Sequence, residues 1–190
     1  MAVWIRIRKF VKIKTLIMDI ILYGSVHGAA KRYAEGLAER TGIQAVDFKK
    51  AKNLGQYGRI IYFGAIYAGG VVGLKQTVAK LTETQELIVV TVGMIDPADQ
   101  AYVEAFREAL RKQIPPQFYD EKKLFHLRGA MDFSKLRLKY RLMMKMVYSM
   151  ASKMPEEQLS PEFKAVLAIY GQQMDYVDLS TLAPIVDLMV

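Results

Sequence analysis

The stretch that most constrains the fold of this chain is residues 18–34, MDIILYGSVHGAAKRYA. Its unbroken apolar run at residues 20–22 is typical of a buried strand. Small residues at Gly24, Ser25 and Gly28 interrupt this run, and apolar residues at helical spacing follow at once. A buried strand that turns directly into a helix aims several backbone N–H groups at one point, where the helix dipole adds partial positive charge. The stretch therefore predicts a phosphate-binding turn.

The composition excludes several classes of site. The chain has 190 residues, which suits a single domain with a sizeable core. It contains no cysteine and only two histidines, which excludes disulfides and thiol catalysis and leads us to expect no metal site. No stretch approaches the roughly 18 uncharged apolar residues that a transmembrane helix requires. A chain without cysteine fits a reducing compartment, so we expect a cytoplasmic protein.

The formal net charge of +8 is unevenly distributed. Residues 1–14 contribute +5, residues 121–153 contribute +7, and the rest of the chain carries −4. A basic segment predicts an anionic partner such as lipid, nucleic acid or an acidic substrate, and the alternative is a solvated charged face. We interpret residues 1–14 as a basic N-terminal extension, either an edge strand or a disordered arm, and residues 15–190 as a single domain.

Strand and helix patterns alternate along the chain, with connections long enough for parallel pairing. They predict an α/β fold, a doubly wound five-stranded parallel sheet with helices on both faces. Ligands bind such sheets outside the carboxyl ends of the strands, where three glycine-containing loops lie here. After a first helix that ends at Gly42, the predicted strands are residues 44–48, 59–64, 87–92 and 124–127. The further predicted helices are residues 72–81, a helix that begins after Asp96, residues 160–174 and residues 181–189. Asp96 and Ser160 are the predicted N-caps, Pro97 lies in the first turn after Asp96, and the last helix is interrupted near Pro184.

The three loops resemble those of the flavodoxin-like domain family. YGSVHGAAKRYA resembles the phosphate loop of that family, GAIYAGGVVG resembles a second loop that often has the form G-S-P-I-Y-x-G, and TVGMIDP falls where the third loop lies. The resemblance covers roughly residues 18–128 and implies FMN as the cofactor. The residues implied to bind FMN are Ser25, Val26, His27, Gly28, Ala29 and Ala30 in the first loop, Ala65, Ile66, Tyr67, Ala68 and Gly69 in the second, and Gly93 and Met94 in the third.

The first loop departs from the family pattern in its hydroxyl groups. Family phosphate loops often read S-x-T-G-x-T, whereas Ser25 is the one hydroxyl here, and His27, Ala29 and Ala30 stand at positions that are polar elsewhere. Backbone N–H groups do most of the phosphate binding and survive such changes. Each lost hydroxyl weakens binding by about 1 kcal/mol, or about fivefold, so we expect weaker FMN binding than in the family pattern.

Three side chains have two interpretations each, and a fourth has one. Tyr67 either stacks on the isoalloxazine ring or packs on a neighbouring helix, and Met94 either touches the flavin edge or fills the core. His27 either donates a hydrogen bond to phosphate or is an exposed loop histidine, and His126 is interpreted as a structural histidine of a strand. No paired carboxylates indicate acid–base catalysis. Because flavin chemistry belongs to the cofactor, we expect no catalytic side chain.

Within the family, the chain is most similar to the branch of quinone-linked protoporphyrinogen dehydrogenases, which carry a basic, aromatic and methionine-containing insertion late in the chain. Residues 133–155, FSKLRLKYRLMMKMVYSMASKMP, form such an insertion. Helical spacing predicts a basic face and an apolar face, as in helices that lie in a membrane interface, and the alternative is that the apolar face packs on the domain. The basic face carries Arg137, Arg141, Lys145 and Ser149, and the apolar face carries Leu136, Tyr140, Met143, Val147, Met150 and Met154.

The leading hypothesis is an FMN-dependent oxidoreductase that exchanges electrons with a quinone-like or tetrapyrrole partner. It would lie peripherally on the inner face of the membrane, with Arg137, Arg141 and Lys145 against anionic lipid. A second hypothesis is a flavodoxin-type electron carrier for a protein partner, although such carriers are usually acidic. A third is a flavin-free binding module of flavodoxin shape with an anionic partner. We expect no nucleic-acid partner, because the basic helix lacks a recognisable reader motif.

Overall fold

The structure is a computed structural model that describes residues 18–67, 69–132 and 138–189. Within these residues the chain forms a central parallel sheet with helices on both faces, followed by a small antiparallel ribbon and a pair of packed helices. Some of the sequence predictions lie outside the described residues, namely those for residues 1–14, Ala68, Leu136 and Arg137.

The central sheet has five parallel strands in the order β2-β1-β3-β5-β6. This order confirms the predicted doubly wound α/β fold. It reverses direction between β1 and β3, and ligands bind at the carboxyl ends of the strands next to such a reversal. The five strands are β1 (Asp19–Gly24), β2 (Ala45–Asp47), β3 (Arg59–Tyr67), β5 (Glu86–Gly93) and β6 (Leu124–Arg128). A short strand, β4 (Gly70–Val71), pairs antiparallel with β3.

Helices cover two hydrophobic cores, one on each face of the sheet. The helices are α1 (Ala29–Thr41), α2 (Leu74–Val78), α3 (Gln100–Arg111), α4 (Leu138–Ala151), α5 (Pro161–Ile169) and α6 (Ala183–Met189). Alternate residues of β3, such as Ile61 and Phe63, join the core under α1 and α6, while Ile60 and Tyr62 join the core under α2 and α3. Because β1, β3 and β5 are buried on both faces, their sequences are continuous apolar runs.

The second loop differs from its prediction, because β3 does not end at residue 64. It continues to Tyr67 and turns back as a hairpin, in which Tyr67 pairs with Gly70 and Ile66 with Val71 in β4. Gly69 has φ +76, a value that favours glycine and permits the tight turn. After the hairpin, α2 begins only at Leu74, because Gly73 is its left-handed N-cap, and it ends at Val78, so it is shorter than the helix predicted at residues 72–81.

The start of α3 also differs from its prediction. Asp99, not Asp96, is the N-cap, since its carboxylate accepts a hydrogen bond from Tyr102 N–H at 3.1 Å. Asp96 accepts a hydrogen bond from Ala98 N–H at 2.9 Å and forms a turn before the helix. Both aspartates are suitable caps, and the longer third loop follows from the use of the second one.

The strand β6, predicted to be the last, is followed by a ribbon of β7 (Ala130–Asp132) and β8 (Gln173–Asp175). The helix predicted over residues 160–174 therefore ends earlier, at Ile169, although Ser160 is its N-cap as predicted. The last predicted helix is a 3-10 helix, Leu179–Leu182, that leads directly into α6. Pro184 lies in the first turn of α6, where its missing N–H is not needed, so it does not interrupt the helix.

Candidate functional site

The turn between β1 and α1 has the geometry that the sequence predicts. Ser25 Oγ accepts a hydrogen bond from Gly28 N–H at 3.0 Å, and Gly28 occupies the N-cap position with φ +92. Ala29 and Ala30 are buried at the start of the helix. The N–H groups of a first helical turn have no acceptor within their own helix, so they are available to an anion.

All three predicted loops meet at the carboxyl ends of the strands, around a cavity of about 50 Å³. Two residues that follow β6, Gly129 and Ala130, close it as well. Gly28, Tyr67 and Gly69 do not line the cavity. The lining residues are Ser25, Val26, His27, Ala29, Ala30, Ala65, Ile66, Val92, Gly93, Met94, Gly129 and Ala130.

Gly129 is a site residue that the sequence reasoning missed. Its N–H donates to Gly93 O at 2.6 Å, and a Cβ at this position would lie 3.2 Å from Val92 Cγ1 and 3.7 Å from Ala29 Cβ. A glycine here lets the chain after β6 approach the start of α1 closely. The available signal was a glycine directly after an apolar strand, as at the other three strand ends.

The size of the cavity matches the phosphate end of a flavin mononucleotide. A volume of about 50 Å³ holds a group the size of a few water molecules, whereas sites for drug-sized ligands span roughly 300–1,000 Å³. The residues present therefore fit a phosphate group, and the cavity is too small for a flavin ring.

The side chains expected near the ring contact the C-terminal part of the chain. The hydroxyl of Tyr67 lies 3.9 Å from the sulfur of Met143 on α4. Met94 packs with Met131 of β7 and Met144 of α4 in a small methionine-rich cluster. Tyr67 therefore makes the contact with a neighbouring helix that one of its two interpretations expects. Met94 likewise makes the packing contact that one of its two interpretations expects.

One ion pair joins the ribbon to α1, and a second joins the end of β6 to the third loop. Arg32 Nη1 of α1 lies 2.6 Å from Asp175 Oδ2 of β8, and this hydrogen bond holds the pKa of Asp175 below its ordinary value. Arg128 Nη1 lies 3.4 Å from Asp96 Oδ2 in the third loop, and its guanidinium lies 3.6 Å from the centre of the Tyr176 ring. The ribbon is thus anchored to α1 beside the cavity, which its first residue, Ala130, lines.

A model of the family described as "Flavodoxin domain" matches residues 20–158. This chain belongs to that family. Membership implies a flavin ligand and electron transfer. The match includes all three loops, and it extends through β6 and the whole basic insertion, residues 133–155. No curated protein sequence matches the chain.

Several solved structures resemble this flavodoxin domain at low sequence identity. An archaeal flavodoxin is 14% identical, with a TM-score of 0.40, and the match covers 58% of this chain and 84% of that one. The Trp repressor binding protein of Bacillus subtilis is 14% identical, with a TM-score of 0.35 and coverage of 58% and 81%. The Flv1 flavodiiron core of Synechocystis sp. PCC6803 is 16% identical, with a TM-score of 0.40 and coverage of 60% and 31%, so this chain spans less than a third of that core.

A much larger cavity, about 1030 Å³, is an open groove between α2 and α3. It meets the second loop at Tyr67 and Gly69 but does not reach the turn that precedes α1. We assign the candidate site to the small cavity, because all three loops converge there and the helix N-terminus faces it.

His27 is exposed on the first loop. Crowding by neighbouring atoms nevertheless lowers the pKa of its imidazole below the ordinary value, because desolvation disfavours the charged form. His27 is therefore mainly neutral at pH 7, so the positive potential of the turn comes from its backbone N–H groups and the dipole of α1.

His126 lies apart from the candidate site. Its Nδ1 is 2.6 Å from the hydroxyl of the buried Thr91, and Phe106 packs edge-on against the imidazole. Burial lowers the pKa of His126 to about 4, and the charge of Arg107 adds to this shift. The histidine is thus a neutral structural residue, as the sequence predicts.

The depressed pKa of His126 predicts a loss of stability in mild acid. The unfolded chain binds a proton near pH 6.5 and the folded chain only near pH 4, so stability is complete above pH 6.5 and declines as the pH falls towards 4. Between pH 7.5 and pH 5 we expect a loss of about 1–2 kcal/mol from this group. Urea unfolding at both pH values should show this loss in the wild type and a smaller one in His126→Gln. Equal losses in the two proteins would contradict the prediction.

The face through which α4 packs on the domain overlaps the predicted apolar face only in part. Tyr148 stacks on Tyr170 of the segment after α5 with ring centres 4.1 Å apart, and Ala151 is fully buried. Met143 and Val147 of the predicted apolar face are half-buried, whereas Met150 of that face is exposed. No helix among the described residues has the length and apolar character needed to cross a membrane.

Proposed function

We propose that this flavodoxin domain binds FMN, with the phosphate in the turn of residues 25–30, and transfers electrons to or from a quinone-like or tetrapyrrole partner. The observation that carries this proposal is the convergence of three loops on one small cavity at the N-terminus of α1. When bound, FMN supplies the redox chemistry, and the protein supplies binding and orientation.

Within this proposal the backbone holds the phosphate. Ser25 fixes the turn by accepting the Gly28 N–H, which leaves the N–H groups of Ala29 and Ala30 for the anion. Gly93 keeps one wall flat, since a Cβ there would lie 2.8 Å from Ile66 Cδ1. These residues bind and orient the cofactor, and none of them has to exchange a proton.

The cavity favours FMN over FAD. A space of about 50 Å³ suits one phosphate group, and the ribbon and Gly129 enclose it on the outer side. The pyrophosphate and adenosine of FAD need several times that volume. We therefore expect the order of affinity FMN, then FAD, then riboflavin, which has no phosphate at all.

The partner is proposed from the surroundings of Tyr67. Met143 approaches its hydroxyl, and further methionines surround Met94, so the expected ring position borders a soft, apolar surface. Such a surface suits a flat apolar molecule of the quinone or tetrapyrrole class. The exposed Arg141 and Lys145 on the same helix support a location on anionic membrane.

The small cavity also favours one alternative, a flavin-free module that binds a phosphate-bearing partner. Titration of the purified protein with FMN, FAD, riboflavin and inorganic phosphate separates the two functions. The proposal expects a shifted flavin absorption spectrum and an affinity for FMN at least about tenfold above that for riboflavin. If inorganic phosphate binds and no flavin does, the flavin-free function is correct.

Tyr67→Ala should weaken FMN binding by about 1–2 kcal/mol, or about 5–30-fold, if the ring stacks on this side chain. Tyr67→Phe keeps the aromatic face and should bind FMN within about threefold of the wild type. Riboflavin affinity should fall by a similar factor in Tyr67→Ala, because the contact is to the ring. Unchanged titrations for both ligands would assign Tyr67 to packing against Met143 instead.

A further inference from the structure

The outer face of α4 carries four large apolar side chains that are exposed. Leu138, Leu142, Met146 and Met150 are 69%, 58%, 68% and 51% exposed. They follow one another at intervals of four residues, so they form one stripe, here called the α4 stripe, about 18 Å long. Contiguous exposed apolar surface of this kind indicates an interaction site.

The α4 stripe is not an unfilled part of the core. The opposite side of the same helix supplies the packing, since Tyr148 stacks on Tyr170, Ala151 is fully buried and Met144 joins the cluster around Met131. The stripe therefore differs from the apolar face that the sequence predicts, which included the half-buried Met143 and Val147.

The charged side chains that line the groove beside the α4 stripe are both positive. Lys145 and Lys153 line a shallow groove of about 610 Å³ together with Leu142, Met146, Ser149 and Met150. Neither lysine forms an ion pair with a residue that the structure describes. The sequence of α4 contains no acidic residue. An occupant therefore has to accept apolar side chains and positive charge together.

These charges argue against a second copy of the chain. A twofold contact between two stripes would set the lysines of one helix beside those of the other, and like charges in contact are destabilising. An anionic lipid surface meets both requirements, because its headgroups attract the lysines and its acyl boundary accepts leucine and methionine.

We propose that the α4 stripe inserts into an anionic lipid surface and holds the domain there with the edge of its flavin site near the bilayer. The second half of this statement rests on the proposed function. Met143, next to the stripe on the same helix, contacts Tyr67, which borders the expected ring position. The redox partner then reaches the flavin from the lipid phase, which identifies it as a lipid-soluble molecule.

The test is sedimentation of the full chain with vesicles of phosphatidylcholine alone or phosphatidylcholine with phosphatidylglycerol, at low and high salt. The wild type should sediment with the anionic vesicles at low salt and be released at high salt. Leu142→Ser/Met146→Ser should reduce binding at least about tenfold, and Lys145→Gln/Lys153→Gln should remove most of the salt dependence. Both variants alter exposed side chains, so folding should be retained.

Matched controls come from elsewhere on the surface. Leu188 of α6 is 37% exposed and lies outside the α4 stripe, and Lys50 and Lys80 are exposed lysines. Leu188→Ser and Lys50→Gln/Lys80→Gln should bind vesicles as the wild type does. All proteins contain the basic residues 1–14, so any difference between stripe variants and controls reports on α4.

Three outcomes overturn the inference. The wild type does not sediment with anionic vesicles, or Leu142→Ser/Met146→Ser sediments as much as the wild type does. In the third outcome, neither protein binds vesicles, and the wild type is a dimer whereas Leu142→Ser/Met146→Ser is a monomer. FMN titration of the same samples keeps the two proposals distinguishable. A wild type that binds anionic vesicles through the stripe but binds no flavin contradicts the proposed function and supports the lipid surface.

Discussion

Gly28→Val is expected to reduce the affinity for FMN by at least about 100-fold, which corresponds to about 2.7 kcal/mol. Gly28 has φ +92, a conformation that valine adopts only with strain, so Gly28→Val distorts the turn that Gly28 N–H closes onto Ser25 Oγ. The loop would relax towards a different backbone conformation and redirect the N–H groups of α1. Titration of the folded variant with FMN measures the effect.

Gly42→Val is the matched control for this experiment. Gly42 has φ +72 at the other end of α1, and a Cβ there also meets no atom within 4 Å. Both variants should therefore lose a similar amount of stability, on the order of 1–3 kcal/mol, from the same kind of backbone strain. Only Gly28→Val should lose FMN. If a folded Gly28→Val protein retains stoichiometric FMN, the phosphate does not bind at this turn.

Local sequence patterns were sufficient to predict the central sheet and the turn between β1 and α1. Buried parallel strands are apolar along their whole length, so β1, β3 and β5 were recognisable without any alternation. Gly42 ends α1 in the left-handed conformation, and its N–H donates to Ala38 O at 2.8 Å, as its position after the helix predicts. The convergence of three loops then followed from the parallel order of the strands.

Features that depend on contacts between distant parts of the chain could not be predicted from local sequence patterns. The strands β7 and β8 have three residues each and are about 40 residues apart, so neither has a pattern of its own. The buried face of α4 is decided by Tyr170 and by the ribbon, which the sequence of α4 does not contain. The closure of the site by Gly129 is a tertiary contact of the same kind.

The contact between the first two loops predicts the second large effect, that of Gly24→Ala on stability. A Cβ at Gly24, the last residue of β1, would lie 2.2 Å from the carbonyl oxygen of Val72 and 2.7 Å from Tyr62 Oη. These two atoms cannot move apart easily, because Tyr62 Oη donates to Val72 O at 2.5 Å and Val72 N–H donates to Ala65 O at 3.0 Å. We expect Gly24→Ala to lower the free energy of unfolding by about 3 kcal/mol or more.

Gly55→Ala is the control for Gly24→Ala, since a Cβ at Gly55 meets no atom within 4 Å and its backbone is not in the left-handed region. Its free energy of unfolding should stay within about 0.5 kcal/mol of the wild type in urea titrations. Any Gly24→Ala protein that folds has to shift the hairpin of β3 and β4, and with it Tyr67, so its affinity for FMN should fall as well. If Gly24→Ala is as stable as Gly55→Ala, the close approach of Val72 to β1 does not hold the second loop beside the first.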